Sequence, residues 1–125
     1  MKIHFDKLYK DDRNGELCGI GLPFGKGEVT AKKFESICVM DGDIAAPSQA
    51  KITSKWDDGS VRYAFVRFLA DLPGNKDKDF ELEFSGKKAD IKNTVSIEKN
   101  SDSIRVSNGG ISFTSLISLI NLSWE

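Results

Sequence analysis

Trp56-Asp57-Asp58-Gly59-Ser60-Val61-Arg62-Tyr63-Ala64-Phe65-Val66-Arg67-Phe68-Leu69 holds the longest nearly continuous apolar run ahead of the C-terminal segment of this 125-residue chain. On an ideal strand Val61, Tyr63, Phe65 and Leu69 point one way, and Ala64, Val66 and Phe68 the other. A strand apolar on both faces belongs in the middle of a sheet or barrel, covered on both sides. Asp57-Asp58-Gly59-Ser60 just before it carries the Asp-Gly signal of a tight hairpin. A hairpin feeding a buried central strand is therefore expected, with the other strands packed around it.

Downstream, Phe80, Leu82 and Phe84 alternate with Glu81 and Glu83, the pattern of a half-buried strand. Upstream, Pro47 to Thr53 is extended and mostly polar, as an edge strand would be. Lys33 to Met40 reads as a strand with Ile37 and Val39 on one face and Phe34, Cys38 and Met40 on the other. Asp41-Gly42-Asp43 turns the chain after it. Glu16 to Leu22 reads as the first strand, and its Gly19 and Gly21 suggest a close backbone approach or a bend. Residues 1–15 are charged and read as a solvated approach ending in a turn. No helix is expected beyond a single turn within Glu28 to Phe34. After about residue 90, short strands at Val95 to Glu98 and Ile104 to Ser107 lead through Asn108-Gly109-Gly110 into apolar Ile111 to Trp124. The expected fold is all-β, a small antiparallel barrel or sandwich over residues 1–92. Residues 93–125 then read as the opening strands of a second β unit, cut from a longer protein.

Eighteen basic and nineteen acidic side chains leave a net charge of −1, with the signs interleaved. The basic pairs Lys32-Lys33 and Lys87-Lys88 are isolated, so no positive stripe suited to a phosphate backbone forms, and nucleic acid is not an expected partner. The amino terminus lacks the apolar core of a secretory signal, and no run reaches the length of a membrane span. A cytoplasmic protein without a membrane partner is expected. Cys18 and Cys38 lie in apolar stretches and read as buried free thiols rather than a disulfide.

His4 is the single histidine. It lies far in sequence from either cysteine and reads as a surface residue rather than part of a nucleophilic site. Asp41-Gly42-Asp43 and Asp57-Asp58-Gly59 lack the alternating oxygens and distant glutamate of a calcium loop, so they read as turns and no metal is expected. Gly25-Lys26-Gly27 lacks the spacing and the Lys-Ser/Thr ending of a phosphate cradle, and no cofactor is expected. The aromatic residues offer more. Trp56 stands beside Asp57, Asp58 and Arg62, and an indole flanked by carboxylates and a guanidinium can bind a sugar ring by stacking and directed hydrogen bonds. Trp56, Asp58 and Arg62 are thus the candidate carbohydrate-binding residues. The reading placed ahead of it is structural, with Trp56 covering the barrel end while an aspartate pairs with Arg62.

Three blocks in order, Gly21-Leu22-Pro23-Phe24-Gly25-Lys26-Gly27, Gln49, and Trp56-Asp57-Asp58-Gly59-Ser60-Val61-Arg62-Tyr63, resemble a known family. They are similar to the amino-terminal barrel domain of the rhamnogalacturonan exolyase and YetA-like proteins, over about residues 15–90. Leu69-Ala70-Asp71-Leu72 fits as well. The chain departs from that pattern at Gly25 and Asp57, where proline is usual, and at Tyr63, where a second tryptophan is usual. The resemblance implies a barrel of the kind shared by riboflavin synthase, ferredoxin reductase and elongation factor domains. In the family this barrel precedes a β-sandwich and a helical toroid expected to carry the lyase chemistry, so no catalytic residue carries over. Residues 93–125 would be the start of that sandwich.

The expected function is a non-catalytic accessory β-barrel domain of a larger polysaccharide-lyase-like protein acting on pectin-type glycans. Its partners would be neighbouring domains and an oligosaccharide, with homo-oligomerisation through the apolar C-terminal strands. The alternatives are a stand-alone carbohydrate-binding module and an enzyme using the barrel as a cofactor site.

Overall fold

In a computed structural model that describes residues 1–7 and 9–116, the chain is all-β apart from one helical turn. In order it forms β1 (Lys2–Phe5), β2 (Arg13–Pro23), α1 (Ala31–Phe34), β3 (Cys38–Asp41), β4 (Ile44–Ala46), β5 (Ser48–Lys55), β6 (Val61–Leu72) and β7 (Lys78–Glu83). Then follow β8 (Ser96–Lys99), β9 (Ser103–Ser107) and β10 (Ser112–Leu116). Two compact units result, Met1–Asp90 and Ile91–Glu125.

The first unit holds two antiparallel sheets, one in the order β2-β6-β5 and the other in the order β1-β7-β3-β4. Their inner faces share one core, with Leu22, Val61, Ala64, Val66, Phe68, Ala70 and Leu72 from the first sheet and Ile3, Val39, Ala46, Phe80 and Leu82 from the second. The chain crosses between the sheets at Pro47. Ala46 pairs with Val39 of β3, Ser48 pairs with Phe68 of β6, and the Pro47 carbonyl accepts from the Leu69 amide at 2.9 Å. A proline cannot donate to a ladder, so it suits the point where a strand leaves one sheet for another. Among the described residues the ladders do not close into a barrel: β2 and β5 remain edges of one sheet, β1 and β4 of the other.

Several expectations come out differently. β1 was not legible, because Ile3 and Phe5 alternate with Lys2, His4 and Asp6 over only a few charged residues. Its partner decides it: Ile3 pairs with Phe80, and the Phe5 ring meets Phe68 and Phe80 edge-on at 6.2 and 5.8 Å. Such aromatic contacts contribute about 0.5–1.5 kcal/mol each beyond area burial. The strand expected from Lys33 begins only at Cys38. Ahead of it Thr30 caps α1, its hydroxyl accepting from the Lys33 amide at 3.1 Å, and Phe34 turns into the core. Cys18 is half-buried rather than buried, Cys38 is buried, and both thiols are free.

β6 is the central strand of its sheet, as expected, but it is covered on one face only. Val66 and Phe68 are 1% and 2% exposed, whereas Tyr63, Phe65 and Leu69 are 48%, 37% and 43% exposed. The four-stranded sheet supplies a single covering layer, so only one face can be buried. The faces also differ from the ideal alternation, because pairing with β5 is irregular around Ser54. That irregularity brings Val61 inward together with Ala64.

In the second unit β8, β9 and β10 form a three-stranded antiparallel meander. Ile97, Val106 and Phe113 stand in register across it on one face, while Glu98, Arg105 and Thr114 share the other. The expected apolar run from Ile111 to Trp124 enters β10, but its residues from 117 onward lie outside the described residues.

Candidate functional site

The hairpin ahead of β6 brings Trp56, Asp58 and Arg62 together. The Trp56 amide donates to the Ser60 carbonyl at 2.8 Å and the Gly59 amide to the Trp56 carbonyl at 3.0 Å. Gly59 sits at φ +83°, where only glycine is free of a steric penalty. Ser60 is buried, and its hydroxyl donates to Asp58 Oδ1 while accepting from the Gly27 amide at 2.9 Å. The Ser60 amide also donates to Asp58 Oδ1, at 2.9 Å. The Ser60 hydroxyl, and then its amide, hold the Asp58 carboxyl below the usual carboxylate range by bonding its charged form. The indole Nε1–H donates to the Phe24 carbonyl at 3.0 Å, and the Phe24 amide donates to the Arg62 carbonyl at 2.9 Å. Arg62 lies over the indole, its guanidinium carbon 4.7 Å from the ring centroid.

The three residues therefore meet, and much of their bonding capacity is engaged locally. Asp58 Oδ1 is held by Ser60, the indole N–H by Phe24, and one indole face lies beneath a guanidinium. Stacking a sugar on that face requires Arg62 to move away. Asp57 forms an ion pair with Lys26 at 2.6 Å, which further ties the glycine turn to the hairpin.

A second arrangement, not singled out by the sequence, lies on the outer face of the β2-β6-β5 sheet. Arg67 is flanked by Gln49 on β5 and Gly19 on β2, and Phe65 by Lys51 and Gly21. With no side chain on the glycine side, the Phe65 ring lies over β2. A Cβ built on Gly19 would come within 2.7 Å of Phe65 Cζ, so the glycine leaves the seat for the ring tip. The Arg67 guanidinium carbon is 5.5 Å from the centroid of that ring. Gln49, Ala50, Lys51, Thr53, Phe65 and Arg67 line an open depression of about 390 Å³. The sequence does contain its signal, namely the glycines at alternate positions of β2, but only the register shows which residues they sit beside.

His4 is exposed, as expected, and clasps β1 to β7. Its Nδ1 bonds Asp79, its pairing partner, and Nε2 lies 3.2 Å from Asp6 and 3.9 Å from Asp77. The Asp79 carboxylate raises the His4 pKa above its ordinary value, and Lys2 and then His4 lower that of Asp79. His4, Asp6 and Asp77 place their donor atoms within 4.8 Å of one another, the one grouping among the described residues that could hold a metal ion. All three are exposed, and the imidazole already bonds carboxylates on both sides. No helix among the described residues is long and apolar enough to cross a membrane. Comparison with family models, with curated proteins and with solved structures finds no match to this chain.

Proposed function

We propose that this chain is a non-catalytic accessory β domain of a larger polysaccharide-lyase-like protein acting on pectin-type glycans. One observation carries the reading. The two longer blocks on which the family resemblance rests, Gly21–Gly27 and Trp56–Tyr63, pack as one unit through the Phe24–Arg62, Trp56–Phe24 and Gly27–Ser60 hydrogen bonds. A motif built this way serves the architecture of a domain rather than a reaction. Exposed apolar residues, Leu17, Tyr63, Phe65 and Leu69 in the first unit and Ile97 and Phe113 in the second, supply surfaces for neighbouring domains, an oligosaccharide or a second copy of the chain.

Incubation of the purified chain with rhamnogalacturonan and polygalacturonate tests the reading. The expected result is retention by the glycan in affinity electrophoresis with no release of unsaturated uronates. Cleavage would overturn the non-catalytic role, and migration indifferent to every pectin-type glycan would count against the carbohydrate connection. A second reading, a stand-alone carbohydrate-binding module, is favoured by the open depression beside Phe65. The mass of the native product separates the two: several times 13.8 kDa supports the accessory domain, and 13.8 kDa itself the module.

A further inference from the structure

We infer that the outer face of the β2-β6-β5 sheet binds a carboxylate-bearing oligosaccharide, with Arg67 and Lys51 as the carboxylate-recognising groups and the exposed part of Phe65 as an apolar contact beside them. The inference rests on the carbohydrate reading above and gives it a location and a charge requirement. Its first support is charge complementarity. Two cations and no carboxylate line the depression. Among the described residues neither Lys51 nor Arg67 takes part in an ion pair, as is true of most basic residues here, so both charges are open to an anion. They stand at diagonal positions of neighbouring strands, Lys51 opposite Phe65 and Arg67 opposite Gln49, and an anion in the depression would be drawn to both. Arg67 can engage a carboxylate bidentately, and Lys51 adds a second point of charge.

The second support is shape. Phe65 is 37% exposed on a strand whose inward neighbours are almost wholly buried. Gly19 seats the tip of the Phe65 ring on the β2 side, which leaves the β5 side of Phe65 and Arg67 to border the depression. The exposed part of Phe65 offers an apolar contact to a sugar ring, whose hydroxyls lie around its rim. Gln49 and Thr53 border the same depression and can hydrogen-bond those hydroxyls. Two cations, an apolar contact and neutral hydrogen-bonding groups around an open hollow of about 390 Å³ suit a uronate-bearing chain better than a neutral glycan.

Titration calorimetry of the full chain with tetragalacturonate, its methyl-esterified form and polyglutamate tests the inference. The expected result is binding of tetragalacturonate and at least about tenfold weaker binding of the ester and of polyglutamate. Phe65→Ala and Arg67→Gln are each expected to weaken tetragalacturonate by about tenfold or more, with Trp56→Ala leaving it unchanged. Gly19→Ala is a second probe, because the added Cβ displaces the Phe65 ring without removing it. Thermal melting of each variant monitors its fold. If Trp56→Ala abolishes binding while Phe65→Ala and Arg67→Gln do not, the carbohydrate reading stands and this site is wrong. Equal binding of acid and ester removes the charge requirement, and equal binding of polyglutamate removes the sugar. No binding of either oligosaccharide sinks the site together with the reading beneath it.

Discussion

On β6 the inward residues Val66, Phe68 and Ala70 are at most 2% exposed, while Phe65 and Leu69, interleaved with them, are 37% and 43% exposed. Both faces are apolar and share one backbone, so hydrophobicity does not separate them. What separates them is a second layer. Phe68 meets Phe80 of the facing sheet at 5.2 Å and Phe5 at 6.2 Å, whereas Phe65 has the glycines of β2 on one flank and Lys51 on the other. Fully burying a phenylalanine is worth about 1.5–3 kcal/mol. Leaving part of that unrealised at Phe65 suits a surface that another molecule covers.

Truncating the inner face should produce the largest effect. Phe68→Ala is expected to cost about 3–5 kcal/mol in denaturant unfolding, from lost transfer energy and the cavity left between the two sheets. A loss below about 1 kcal/mol would mean that the inner face is not the core, and the contrast between the faces would fail. Ser60→Ala comes next, at about 1–3 kcal/mol, because it removes a buried hydroxyl and leaves the Gly27 amide without its acceptor. The same variant carries a pH signature. The Asp58 pKa is lowered in the fold, so the associated stabilisation is complete above the unfolded value near 3.8 and is lost as pH falls through the folded one. The stability difference between parent and Ser60→Ala should therefore shrink with acidification below that value, and a constant difference would exclude the Ser60–Asp58 bond as its source. Gly59→Val follows at about 1 kcal/mol or more. No atom lies within 4 Å of the added Cβ, so the cost arises from φ +83° rather than from a Cβ clash, and an unchanged melting temperature would rule that geometry out.

These inner-face and hairpin features were legible in the sequence to different degrees. Asp58-Gly59 announced the turn, and the positive φ of Gly59 is the local requirement behind that signal. Phe80 and Leu82 alternated with glutamates and became buried positions of β7. Strands β8 and β9 were likewise legible, in the short apolar segments Val95 to Glu98 and Ile104 to Ser107. β1 was invisible, because two apolar residues among charges gain meaning only opposite Phe80. The exposed face of β6 could not be read either, since the number of covering layers is a property of the whole chain. Trp56, Asp58 and Arg62 were recognised as neighbours, but not that Phe24 and Ser60 already hold the indole N–H and one carboxylate oxygen. For the same reason the Phe65–Arg67 surface is not legible in the sequence: Gly19 and Gly21 lie more than forty positions upstream and meet it only through the β2–β6 register.

The smallest expected change in stability is at Phe65, and it tests the comparison most directly. Phe65→Ala removes a ring comparable in volume to that of Phe68, three positions along the same strand. The Phe65 ring rests on the surface of β2 and beside the Arg67 guanidinium, with no layer of the first unit closing over it. Its removal leaves no enclosed cavity, so the dominant cost of core truncation is absent. The expected loss is about 1 kcal/mol in denaturant unfolding, the transfer term of a partly buried ring without a cavity term. A loss of 2 kcal/mol or more would place Phe65 among the packing residues. The outer face would then be part of how the sheet is held, and the reason for treating it as a binding surface would fall with it.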